Sequence, residues 1–511
     1  MPSPLRAALL ATLLACGCGR VRYAPYEAGL DASLDAPASA LDAAIDVPAS
    51  DARMLPPPTE FGDFIKASNT GGEDEFGTSV VLSADGTTLA VGAIYEDSAG
   101  TGVNPPDSNT AASAGAVYIY VREGASWAFQ ALIKASNTDS FDYFGHAIAL
   151  SANGNTLAVG APDEDGSGTG VAPGSDESAS GSGAVYVYTQ SGLVWSFEAY
   201  IKASNTGGED AFGSAVALSA NGDLLAVGAP GEDTNGLLVD PPFNESATNS
   251  GAAYLYSRSA STWRLENAIK STETTAGDAF GSAVALNRAG SMLVVGAPET
   301  RSGGAVYVYS GTRWSTAVAL HADDEGPGNR FGFSLALSDI SIAIGAPGEA
   351  TRASGINPTA NRSAPDTGAA YIFTPGSSGD WRQDAFIKAS NASVDEYGWS
   401  LAIDASGSRL VVGGIFEDGA GIGVDATPSE GAIGAGAAYV YLRGGEGWYE
   451  RHYIKAFNVG RGDHFGASVS LSSSGSLLAV GAPIESSSGT SVGSTPNEGA
   501  PGSGAVYIYR Q

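Results

Sequence analysis

Two acidic positions recur along the 511 residues and are the side chains best placed to do chemistry. The first is an aspartate two residues before an aromatic-glycine pair: Asp74, Asp142, Asp210, Asp278, Asp395 and Asp463, with Asn329 at the remaining occurrence. The second is a glutamate three residues after the Ala or second Gly of a Gly-Ala-Pro, Gly-Ala-Ile or Gly-Gly-Ile tripeptide: Glu96, Glu164, Glu232, Glu349, Glu417 and Glu485. Carboxylates converging on one rim would draw a divalent cation or a cationic partner, because hard cations collect several oxygen ligands. The same residues also have an architectural reading. An aspartate before a turn accepts from nearby backbone N–H groups, and a lysine (Lys66, Lys134, Lys202, Lys270, Lys388 or Lys455) closes six of the units within reach of the glutamate. The fourth unit fits this second reading, since it alone has His321 in place of the lysine and it alone has its glutamate displaced, to Glu299.

Other chemistry finds little support. His146, His321, His452 and His464 lack metal-ligand spacing, and there is no nucleophile elbow, phosphate loop or zinc motif. Six tryptophans, Trp127, Trp195, Trp263, Trp314, Trp381 and Trp448, each stand six residues before an Ile or Leu, a regularity that reads as packing; Trp399 alone breaks it. Arg461-Gly462-Asp463 matches a short adhesion motif, but its aspartate already belongs to the repeat.

The elements that position these residues follow from the repeat. The aromatic-glycine pairs begin at Phe76, Phe144, Phe212, Phe280, Phe331, Tyr397 and Phe465, spaced 68, 68, 68, 51, 66 and 68 residues apart. Each unit holds four short apolar runs between Gly, Asn, Asp and Ser, as in Phe212-Gly to Leu218, Leu225 to Pro230, Gly251 to Tyr256, and Trp263 to Lys270. With glycine at 70 of 511 residues, this predicts an all-β fold: one seven-bladed β-propeller of four-stranded antiparallel blades. The seventh unit stops at Gln511 before its fourth run, and that missing text appears at the front as Phe64-Ile65-Lys66-Ala67-Ser68-Asn69-Thr70. An N-terminal strand should therefore complete the last blade and remove an open edge. The loops after the second and fourth strands would share one face. They are the longest and most acidic, except in the fourth unit, where Pro298 to Gly304 leaves a notch.

Phe144-Gly145 followed by Gly160-Ala161-Pro162, and its counterparts in the other units, resembles the FG-GAP repeat of the integrin α-subunit propeller over residues 61–511. The resemblance implies recognition of a protein ligand on the loop face and calcium in the hairpin between the first two strands. Here those hairpins are short, as in Ser83-Ala84-Asp85-Gly86 and Ser151-Ala152-Asn153-Gly154, and one oxygen-bearing side chain cannot supply six to eight ligands. No metal site is carried over to them, and no cofactor is assigned; calcium stays open only for the acidic rim.

Composition narrows the partners. A formal net charge of -30 repels a phosphate backbone, which argues against nucleic acid. The two cysteines, Cys16 and Cys18, both precede the repeats, so no disulfide can staple the fold. Residues 1–15 read as a signal peptide, and Leu13-Leu14-Ala15-Cys16 resembles the lipobox of bacterial lipoproteins, which implies lipidation at Cys16, with Cys18 the second candidate and ordinary secretory cleavage the alternative. Residues 16–58, rich in Ala, Asp, Pro and Ser, would be a disordered tether, and 59–511 the propeller. The expectation is an exported, monomeric protein anchored by lipid to the outer membrane or cell surface. It would act as a non-enzymatic binding or adhesion module that presents an acidic loop face to a protein or polysaccharide. A cation-dependent or carbohydrate-processing enzyme using that rim is the alternative.

Overall fold

In the computed structural model the described residues are 59–511, apart from 175, 378 and 392. The signal peptide, Cys16 and tether expected over 1–58 lie outside them. Residues Thr59–Gln511 form one compact unit, and its strands assemble into seven antiparallel sheets of four, two of which gain a two-residue fifth strand. The third blade shows the pattern: Ala215–Leu218, Leu224–Ala229, Ala252–Ser259 and Thr262–Ile269 pair in sequence order.

The second strand of each blade is apolar on both faces because both faces are covered. In the third blade, Leu225, Val227 and Ala229 pack in a layer with Val185, Val187 and Ile201 of the second blade. The intervening Ala226 joins Leu293 and Val295 of the fourth. Seven such layers lie between seven blades, including one that joins Leu477 and Ile508 to Val91 and Tyr118 across the chain ends.

The two glycines of the repeat allow the blades to approach this closely. A Cβ on Gly160, in the second blade, would fall 1.9 Å from the carbonyl oxygen of Gly213 in the third, and the same collision links Gly481 to Gly77 across the chain ends, at 2.1 Å. The preceding aromatic fills the layer, as Phe212 does edge-on to Tyr254 at 5.4 Å.

The strand Glu60–Ile65 pairs antiparallel with Ala505–Arg510, from Glu60 opposite Arg510 to Ile65 opposite Val506. Its register shifts between Phe61 and Asp63. Five other blades carry the corresponding bulge between their third and fourth strands. The first strand is thus the fourth strand of the seventh blade. The fourth blade pairs Val306–Ser310 with Thr316–Leu320 without such a shift.

Candidate functional site: the loop face of the ring

Loops after the second strand of one blade hydrogen-bond to loops before the first strand of the next, so both families share a face. Phe212 N–H donates to Ser182 O at 3.0 Å, Phe280 N–H to Ser250 O at 3.1 Å and Phe76 N–H to Ser503 O at 3.1 Å. The opposite face carries the hairpins between first and second strands, which bond to one another around the ring: Ala84 N–H to Ala152 O, Ala152 N–H to Ala220 O and Ser473 N–H to Ala84 O. Asp85, the one acidic residue of its hairpin, accepts from Thr87 N–H at 2.9 Å within the same turn.

On the loop face the six glutamates are each at most 1 % exposed, and the six lysines at most 2 %. Lys202 Nζ lies 2.5 Å from Glu164, Lys134 2.6 Å from Glu96, Lys270 2.7 Å from Glu232, Lys388 2.5 Å from Glu349 and Lys66 3.0 Å from Glu485, while Lys455 pairs with Glu417. A hydroxyl completes the ammonium's shell in several blades: Ser182 at 2.6 Å from Lys202, Ser250 at 2.8 Å from Lys270, Thr367 at 2.8 Å from Lys388. Burial pushes each ammonium's pKa below its ordinary value, against the pull of the glutamate beside it.

An asparagine unremarked in the sequence then ties each of five glutamates to the preceding blade. Asn205 Nδ2 donates to Glu232 at 2.8 Å, and its Oδ1 accepts from Tyr254 at 2.6 Å. Asn69, Asn137, Asn391 and Asn458 repeat the first bond. The signal was present in the repeated Lys-Ala-Ser-Asn text, whose lysine serves its own blade and whose asparagine serves the next. The long second loops also carry unforeseen order. Gly102–Val103 and Gly355–Ile356 add a fifth strand against the blade's own fourth strand, and Val171, Val239 and Val424 make single bridges at the same place.

The aspartates lie beside these pairs. Asp74, Asp210, Asp278 and Asp463 accept from the backbone N–H three residues earlier, at 2.7 or 2.8 Å, and Asp142 does so at 3.1 Å. Asp395 accepts from Ser393 N–H at 3.1 Å. Burial, reinforced by the neighbouring glutamate, raises Asp74 and Asp210 to about 7, Asp142 to about 8, and Asp395 and Asp463 to about 6. A carboxyl with such a pKa is partly protonated near neutrality, so this ring carries less charge than its residue types suggest. Asp463 of the Arg-Gly-Asp triplet is one of these buried groups, 6 % exposed.

The fourth blade departs from this scheme at every partner. Thr300 stands where the third blade has Glu232, Gly303 where it has Ser250, and His321 where it has Lys270, while Glu273 replaces the asparagine. His321 turns outward, its side chain 43 % exposed and its Nδ1 2.9 Å from Glu325. Glu299 sits 3.4 Å from Arg330 instead of meeting a lysine. What remains is a cleft of about 190 Å³ lined by Asp278, Glu273, Thr300, Arg301, Tyr307 and His321 among others. Burial and the charges of Asp278 and Glu273 raise the Tyr307 hydroxyl to about 12.

Next to the cleft, Arg330 lies over the Phe333 ring, 4.6 Å from its centroid, and Phe333 meets Trp399 at 4.8 Å. Both rings are half-buried, and the other blades place Thr78, His146, Ser214, Ser282 and Ala467 at this position. The repeat tryptophans behave differently: Trp195 and Trp263 are 3 % exposed and donate through Nε1 to Gln130 at 2.9 Å and Glu198 at 2.8 Å of the adjoining blades. His452 contacts Asp425 at 3.0 Å, and burial lowers His146 and His464 to about 4. Among the described residues no three His, Cys, Asp or Glu side chains are grouped to hold a metal ion, and no helix is long and apolar enough to cross a membrane.

Comparison with known proteins agrees with this architecture. The RRP9 WD40 repeats align at 10% identity over 89% of this chain and 100% of theirs, with a TM-score of 0.51, a likeness of fold alone. The β-propeller domain of Myceliophteria thermophila Cps50 (Swd1) aligns at 10% identity over 88% of this chain and 99% of that one, with a TM-score of 0.47. No curated protein sequence matches the chain. The FG-GAP repeat family model matches residues 127–188, 195–256, 263–309 and 314–373, each span running from the tryptophan that opens or precedes one fourth strand to the third strand of the next blade. The remaining blades repeat the same glycine contacts, so the chain is a seven-bladed β-propeller that carries FG-GAP repeats at these four spans.

Proposed function

We propose that the chain is a non-enzymatic binding module whose loop face recognises a protein or polysaccharide at a cell surface. The observation that carries this reading is the departure from the repeat across the fourth, fifth and sixth blades, where the open cleft, the Glu299–Arg330 pair and the Phe333–Trp399 rings follow one another. Elsewhere the repeated rim carboxylates of this face are held by lysines of their own blade, by asparagine stitches from the preceding blade and by backbone N–H groups. Here polar and aromatic surface is left over, and amphipathic rings on a rigid scaffold are effective recognition groups. Of the twelve rim carboxylates, Asp278 is the one assigned to a ligand. Binding of the purified chain to glycan and peptide arrays, repeated with Trp399→Ala, tests the reading. Retention of a Trp399-dependent ligand supports it, and ligands indifferent to this substitution would count against it.

The sequence before residue 59 supports an exported protein held by a lipid on Cys16 at the outer membrane or cell surface. Metabolic labelling with a fatty-acid analogue checks this, with loss of label expected on Cys16→Ser.

A further inference from the structure

We propose that the fourth-blade cleft binds a primary ammonium, as on a lysine side chain of a partner, in the place that six sister blades fill with their own lysine. This rests on the binding-module reading above and names the chemistry its ligand would present. The sister blades show what this corner of the fold does: an ammonium is held by a carboxylate, a Ser or Thr hydroxyl and the surrounding aspartate, withdrawn from water. In the fourth blade the internal ammonium is gone, because His321 points to Glu325. Asp278 keeps its repeat position, 5 % exposed, holding Thr275 N–H at 2.8 Å and lining the cleft.

Replacement of the asparagine by Glu273 adds a second carboxylate, and Thr300 and Tyr307 contribute hydroxyls. An ammonium has three donors and no acceptor, which this set of oxygens matches. At about 190 Å³ the cleft is many times the space a single water needs and accommodates the end of an alkylammonium chain. Arg301, exposed at the rim, is the internal cation nearest to hand and would compete for the cleft, so its removal should strengthen binding.

Calorimetric titration of the purified chain with Nα-acetyl-lysine amide, against its Nε-acetylated form, tests the inference. Saturable one-to-one binding is expected for the free amine alone. It should weaken at least tenfold in Glu273→Gln and Asp278→Asn, strengthen in Arg301→Ala and vanish in the double variant Thr300→Glu, His321→Lys, which refills the corner from within. Because Glu273 is exposed, its variant keeps the test valid if Asp278→Asn fails to fold. Absence of saturable heat, equal binding of the acetylated form, or undiminished binding in the refilled variant would overturn the inference. An array ligand that depends on Trp399 but ignores the free amine would sink this inference while leaving the binding-module reading intact.

Discussion

Lys66 and Glu485 are 419 positions apart in the chain and 3.0 Å apart in the fold, both buried. Their contact is the same one that Lys202 makes with Glu164 inside the second blade, so the junction of the chain ends is built like the interior of the five other lysine-bearing blades. The lysine also reaches Ser503, at 2.8 Å, beside the third strand of the seventh blade. One ion pair therefore reports both on ring closure and on the use of the acidic rim as internal structure.

If the rim carboxylates are partners of buried lysines, removing a single lysine should be costly. Lys202→Ala strands Glu164 in a dry environment and is expected to cost about 3–5 kcal/mol in denaturant unfolding. The joint change of Lys202→Met with Glu164→Leu removes both charges and should recover most of that loss. A single variant indistinguishable from the parent would contradict the pairing.

The aspartates set a pH dependence whose sign is fixed by the direction of their shifts. Asp74, Asp142 and Asp210 are raised from 3.8 to about 7, 8 and 7, so between pH 4 and pH 8 the folded chain holds protons that the unfolded chain has released. Stability therefore falls as pH rises through this window, by on the order of 1 kcal/mol per aspartate for each pH unit. Thermal unfolding should occur at higher temperature at pH 5 than at pH 8, and Asp142→Asn should flatten the difference. A midpoint that rises over the same range would contradict the burial argument.

Glycine contacts between blades give a steric prediction. Gly160→Ala places a Cβ 1.9 Å from Gly213 O, backbone against backbone, and is expected to prevent folding or to cost more than about 3 kcal/mol. Gly124→Ala, where φ is +64° and nothing lies within 4 Å, should cost only about 1–2 kcal/mol for the left-handed conformation. Soluble expression and denaturant midpoints of the two variants compare them directly.

The fold was legible in the sequence because closure of a propeller imposes a strict repeat. The Phe-Gly and Gly-Ala-Pro glycines recur wherever two backbones must touch, and the displaced Phe64-Ile65-Lys66 text marks the borrowed strand. The counter-ion of each glutamate was also readable, since lysine and glutamate vary together in the fourth unit. The asparagine stitch was harder to read: the asparagine recurs in the Lys-Ala-Ser-Asn text, but its partner lies in the following blade, as Glu232 does 27 residues beyond Asn205. The loops were harder still. Their Gly, Ser and Asn content hides one aliphatic residue, such as Val103 or Ile356, that anchors five of the loops on their own fourth strands.

The most direct measurement deletes residues 59–70 and follows thermal unfolding of the remaining chain. A ring completed by that strand should lose the Lys66–Glu485 pair, expose the Ala505–Arg510 edge and unfold on the order of 10 °C lower, with increased self-association through the open edge. An unchanged midpoint and an unchanged oligomeric state would contradict closure by the N-terminal strand and, with it, the shared rim on which the proposed recognition surface depends.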